Sequence, residues 1–105
     1  TVSPVLMARF DVYKMATARG FLLDVQTDLL SGLNTRVVVP LLPLTDAPIP
    51  AQRLNPVFEI ENLEVLMATQ FLAAIPEPEL KEVVGNLEGS QNEISVALDM
   101  LFSGF

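Results

Sequence analysis

Few side chains in this sequence are of a type and spacing that could do chemistry. Glu59, Glu61 and Glu64 lie close together in the sequence. Two carboxylates held close can divide the general-acid and general-base roles of a hydrolase. On an extended chain Glu59 and Glu61 share one side, where a solvated strand edge explains them as simply. Ser31-Gly32 and Ser103-Gly104 offer hydroxyls, but the chain has no His to take their protons and no Cys to serve as a thiol nucleophile. Lys14 and Lys81 stand among polar neighbours, which is not how a lysine nucleophile is made. No D-x-D-x-D-G calcium loop and no glycine-rich phosphate cradle occurs. Neither a metal nor a cofactor is expected, and the residue inventory favours a protein that works by binding over an enzyme.

Charge narrows the partners. The 105 residues carry 6 Lys+Arg against 13 Asp+Glu. Residues 1–53 hold five basic and four acidic side chains, a net of +1, while residues 54–105 hold Lys81 against nine acids, a net of −8. Such a surface repels phosphate backbones and anionic lipid, so direct nucleic-acid or membrane-surface binding is disfavoured and a charged partner should be basic. The longest uncharged stretches fall short of the roughly 20 apolar residues of a membrane span. A cytoplasmic protein is the default expectation. Met7 can serve as a start, which makes residues 1–6 a tag remnant or short extension and residues 7–105 one domain, near the commonest domain size.

The elements that must position these side chains are mostly short strands. Residues 9–13 read as a strand with Phe10 and Val12 on one face. After a loop closed by Gly20, residues 21–30 alternate in period two. Gly32 and Asn34 mark a turn, and Val37, Val38 and Val39 form a β-branched run typical of a buried strand. Pro40, Pro43, Pro48 and Pro50 predict that residues 40–51 are exposed, stiff and irregular. Val57–Ile60 and residues 63–68 read as a tight hairpin through Glu61 and Asn62. Residues 79–84 fit one helical turn or a short strand equally well. Ser90-Gln91-Asn92-Glu93 matches a capping box; beyond it Ile94, Ala97, Leu98 and Leu101 make a helical stripe over residues 91–102, and Gly104 stops it. The fold class is mostly β: a small barrel of short antiparallel strands plus one C-terminal α-helix.

Two features point to association. Half of the residues are apolar, more than a domain of this size readily hides as a monomer; a homodimer is expected. Phe102 and Phe105 lie within the last four positions, either tucked back on the barrel or presented to a partner, as aromatic interface anchors are.

The residues Phe10-Asp11-Val12-Tyr13, Phe21-Leu22-Leu23-Asp24-Val25-Gln26-Thr27-Asp28-Leu29-Leu30 and Arg36-Val37-Val38-Val39-Pro40-Leu41 resemble the CcdB family of toxins. So do Asn55-Pro56-Val57, Met67-Ala68-Thr69 and the ending from Ala97 to Phe105. The resemblance runs in order from Met7 to Phe105. It implies a homodimer of an SH3-like β-barrel with a C-terminal helix. It further implies the toxin half of a toxin–antitoxin system, binding the DNA gyrase A subunit and trapping its cleavage complex with DNA. A cognate antitoxin neutralises such toxins with a flexible segment. By the same resemblance the gyrase contacts are Leu29, Leu30, Asp99, Phe102, Ser103, Gly104 and Phe105. The family usually ends in Trp-Gly-Ile, the Trp stacking on a gyrase arginine. Here Ser103 stands in place of that Trp, Asp99 in place of an Asn and Phe105 in place of the aliphatic end. Two readings follow: a gyrase poison with altered contacts, or a non-toxic homologue that binds antitoxin or another protein.

Overall fold

The computed structural model describes residues 8–104. Its strands are β1 (Asp11–Lys14), β2 (Phe21–Asp24), β3 (Thr35–Pro43), β4 (Val57–Ile60), β5 (Leu63–Met67), β6 (Ala73–Pro76) and β7 (Val83–Asn86), followed by the helix α1 (Gln91–Ser103). They form one curled, fully antiparallel sheet in the order β4-β5-β3-β2-β1-β7, with β6 also paired to β3. This is the expected class, a small barrel-like sheet with one C-terminal helix.

Alternation assigns the two faces. Val12, Phe21, Leu23, Val39, Leu41, Phe58, Val65 and Met67 point into the main core, which α1 closes with Ile94 and Ala97. The residues between them face the other side of the sheet, where Tyr13, Val38 and Leu80 make a second, smaller cluster. Burying a side chain of this size contributes about 1.5–3 kcal/mol, so the main core dominates. Gly20 lies where β2 must approach β3: a Cβ there would stand 2.5 Å from the Leu41 carbonyl oxygen, so no other residue fits without displacing backbone.

The hairpin of β4 and β5 turns through Glu61 and Asn62, both at positive φ (52° and 66°), as a two-residue hairpin turn requires. Helix α1 ends in a left-handed Gly104 (φ 78°) whose N–H donates to the Met100 carbonyl at 3.1 Å. Residues 79–84 resolve mainly into extended chain: a 3-10 turn at Glu77–Glu79 and then β7.

Four expectations are corrected. Residues 40–43 are not an exposed irregular segment: they continue the central strand β3, with Leu41 and Pro43 buried, and Pro40 pairs with Leu22. Its carbonyl accepts from Ala68 N–H at 2.9 Å, so its backbone polar side faces away from β2. That edge of β3 is shared by two strands: β6 pairs with Thr35 through Val38 and β5 with Leu41 through Pro43. By the β3–β5 register Ala68 stands opposite Pro40; its carbonyl accepts from Phe71 N–H at 2.9 Å, so the donor that proline lacks leaves no facing carbonyl unpaired. Ser90 makes no side-chain cap bond; it ends a 3-10 turn at Glu88–Ser90 and holds φ −109°, ψ 22°, not the extended backbone of a capping residue. Residues 21–30 do not form one strand, because β2 stops at Asp24 and a 3-10 turn occupies Asp28–Leu30. Phe10 lies before β1, at φ 74°.

Candidate functional site

The segment Asp24-Val25-Gln26-Thr27-Asp28 builds a rigid exit from the sheet. At the end of β2 the Asp24 carboxylate is fully buried and meets Arg36 of β3, also fully buried: Arg36 Nη2 lies 2.7 Å and Nε 2.8 Å from Asp24 Oδ2. The second carboxylate oxygen, Oδ1, accepts the Gln26 amide at 3.0 Å. Burial pushes the Asp24 carboxyl above the usual aspartate range, with Arg36 and the Gln26 amide pulling against it. Arg36 Nη2 also reaches the Gln26 carbonyl at 3.4 Å. Arg36 Nη1 is buried with no hydrogen-bond partner among the described residues.

Gln26 continues the construction. Its Oε1 accepts the Val37 amide at 3.0 Å, and its Nε2 donates to the Leu30 carbonyl at 3.1 Å. Thr27 then caps the 3-10 turn, its Oγ1 accepting from Leu29 N–H at 3.3 Å, and Asp28 Oδ1 accepts the Arg9 amide at 2.8 Å. The product is a fixed turn that holds two leucines in water: Leu29 is 92 % exposed and Leu30 47 %.

The other expected contact residues sit at the end of α1. Asp99, Ser103 and Gly104 are exposed, and Phe102 is 70 % exposed. Of the two alternatives for the terminal aromatics, Phe102 takes the presented one; Phe105 lies outside the described residues, as does the expected start at Met7. Principal packing of α1 is on the core and the 3-10 turn Thr69–Phe71. The leucine pair and the helix end are both exposed in the single chain.

Residue reasoning passed over the polar groups that set these shapes. Asn55 Nδ2 donates to the Met67 carbonyl (2.9 Å) and to Gln70 Oε1 (2.8 Å), while its Oδ1 accepts the Ala51 amide (2.9 Å). The Thr69 hydroxyl donates to the Leu54 carbonyl. Two quoted motifs, Asn55-Pro56-Val57 and Met67-Ala68-Thr69, are thereby stitched together. Beside them a groove of about 630 Å³ runs between residues 50–56 and α1, walled by Pro50, Arg53, Pro56, Asn92, Glu93 and Val96. For Thr69 the signal available in the sequence was a polar residue at the end of the apolar run Val65–Ala68, which when buried in a folded chain is usually hydrogen-bonded; Asn55, preceded by Gln52 and Arg53, carried no such signal.

The carboxylate group takes an ordinary place. Glu59 stands opposite Glu64 across the β4–β5 ladder, both exposed, and Glu61 occupies the hairpin turn. None of the three lines the groove beside α1 or the one beside Lys14 and Lys81. Among the described residues no group of His, Cys, Asp or Glu is arranged to hold a metal ion, and no helix is long and apolar enough to cross a membrane.

The class of protein is thus a small antiparallel barrel-like sheet closed by one C-terminal helix, with apolar side chains exposed on a hydrogen-bonded turn and at a helix end. A family model described as CcdB protein matches residues 9–104. The chain belongs to the CcdB family, a family of gyrase-directed toxins rather than known enzymes.

Proposed function

We propose that this protein is the toxin of a toxin–antitoxin pair, working from the cytoplasm as a homodimer of the domain at residues 7–105. In this reading it binds the DNA gyrase A subunit through Leu29, Leu30, Asp99, Phe102, Ser103, Gly104 and Phe105, traps the gyrase–DNA cleavage complex, and is neutralised by a cognate antitoxin. Binding alone accomplishes this, and no catalytic group is called upon. Beyond family membership, the observation that carries the reading is the exposure of Leu29 and Phe102. Each is a large apolar side chain held in water. Such side chains supply binding energy when a partner desolvates them.

Ser103 favours a second reading, a non-toxic homologue that binds antitoxin or another protein. Exposed in the last turn of α1, it cannot stack on an arginine as the family's Trp does. A desolvated ring–cation contact is worth about 2 kcal/mol, tens of fold in affinity.

The deciding experiment mixes the purified protein with gyrase, DNA and ATP and follows linear, enzyme-linked DNA. Accumulation is expected under the first reading. Its absence at high protein concentration excludes poisoning and leaves the second. Ser103→Trp should tighten gyrase binding tens of fold, as estimated above; an unchanged affinity moves the contact away from this position.

A further inference from the structure

The turn that presents Leu29 has no apolar anchor of its own. None of Asp28, Leu29 and Leu30 is buried, so packing does not hold the turn in place. Hydrogen bonds do, and they differ in kind. The bonds made by Thr27 Oγ1 and Asp28 Oδ1 are exposed, so water replaces them at little loss. The Gln26 side chain is different. It is only 6 % exposed, its Nε2 bonds the Leu30 carbonyl, and its Oε1 bonds the Val37 amide of β3. Its backbone is gripped on both sides by the buried pair, the amide by Asp24 and the carbonyl by Arg36. A polar chain therefore runs from the centre of the sheet, through the Gln26 carboxamide, to the leucine turn; the one direct tie beside it, Arg36 Nη2 at 4.0 Å from Asp28 Oδ1, is long and its carboxylate is mostly exposed. In a water-poor setting each of its bonds is costly to leave unmade.

We infer that Gln26 is the positioning residue of the leucine turn: its carboxamide transmits the rigidity of β3 to Leu29 and Leu30, which make the contact while Gln26 itself touches no partner. As a contact-site assignment this rests on the function proposed above; as a statement about the turn it stands independently.

Gln26→Glu is the discriminating variant. The carboxylate still accepts from Val37 but has no proton for the Leu30 carbonyl, and it adds charge beside Asp24 and Asp28. Gln26→Met keeps the length and removes both bonds, which guards against a variant that fails only through charge repulsion. Backbone 15N order parameters are measured over residues 27–33 with Val39 and Leu41 as internal references, and affinities for the gyrase A subunit and for the cognate antitoxin are measured in parallel. In the unaltered protein the turn should read near the rigid value of about 0.85; in Gln26→Glu and Gln26→Met residues 28–31 should fall toward about 0.6 while the references stay rigid. Gyrase affinity should drop about tenfold, the fold-change of one lost, partly buried hydrogen bond, with antitoxin affinity unchanged. Order parameters that stay high in both variants overturn the inference, as does a uniform loss that includes Val39 and Leu41, since Gln26 would then be a general core residue. If the turn loosens but the unaltered protein shows no gyrase affinity, the positioning role stands and the gyrase reading falls.

Discussion

Asp24 and Arg36 leave water together, and neither can be spared alone. A buried ion pair contributes little over a well-packed apolar pair, but removing one partner strands the other's charge in a poorly solvating interior. Asp24→Asn should therefore cost about 3–5 kcal/mol in urea unfolding. The double variant Asp24→Leu with Arg36→Met should lose much less than that single change; a double variant as damaged as the single would mean that the pair itself contributes net stability. Tyr13 gives a second residue-scale prediction. It is 2 % exposed, and burial, with Asp11 and Asp24 nearby, pushes its phenol up from 10.0 to about 12. The folded protein thus keeps this proton after the unfolded chain has lost it. Stability from this group is complete below pH 10.0 and is lost as pH rises toward about 12, at up to about 1.4 kcal/mol per pH unit. The chain has one Tyr and no Trp, so tyrosinate absorbance reports it without interference. Ionisation near pH 10 in protein that is still folded would contradict the burial argument.

At the scale of elements, the structure makes the β4–β5 turn an easy place to add stability. Glu61 sits at φ 52°, a conformation costing an ordinary L-residue about 1–2 kcal/mol. Glu61→Asn should recover up to about 1 kcal/mol of it in thermal or urea unfolding, and a loss of stability would mean that the Glu61 side chain has a use not seen here. Elements that depend on their own residues were legible in the sequence. The β4–β5 hairpin follows from alternation and a turn-tolerant Asn62, and α1 from its Ile94/Ala97 stripe and Gly104. Elements that depend on distant chain were not. Whether Pro40 can sit in a central strand depends on which way its missing donor points and on the Phe71 amide that pairs the facing Ala68 carbonyl. β6 is a mostly exposed Ala-Ala-Ile-Pro segment in which only Ile75 packs inward, so it shows no alternation of apolar and polar residues. The contact residues were named by resemblance, and the structure places Leu29 and Leu30 on a turn rather than a strand. What holds that turn, Gln26 between β2 and β3, could not be read from spacing, because both its partners are brought to it by folding.

For the whole molecule, the leading question is how its exposed apolar residues are covered. Leu29, Leu33, Ile49, Phe71, Val96 and Phe102 are all exposed in the isolated chain. A homodimer of 11.5 kDa protomers is expected at micromolar concentration by sedimentation, and a monomer at that concentration would contradict it. Each protomer carries a formal charge of −7. Like-charged partners repel less when screened, so the dimer should tighten as salt is raised from low to physiological. A dimer that weakens with salt would instead be held by specific ion pairs.

The proline in the middle of the sheet also guards against mispairing. If β3 slid by one residue along β2, every side chain and every backbone polar group of the strand would exchange sides. The vacancy on Pro40 would then face β2 and delete a bond from the ladder. Arg36 would lose its seat beside Asp24, and Val39 and Leu41 would leave the core for the opposite face. A single imino acid, harmless in the native pairing and penalised in the neighbouring one, thus helps the longest strand of the protein recognise its correct alignment.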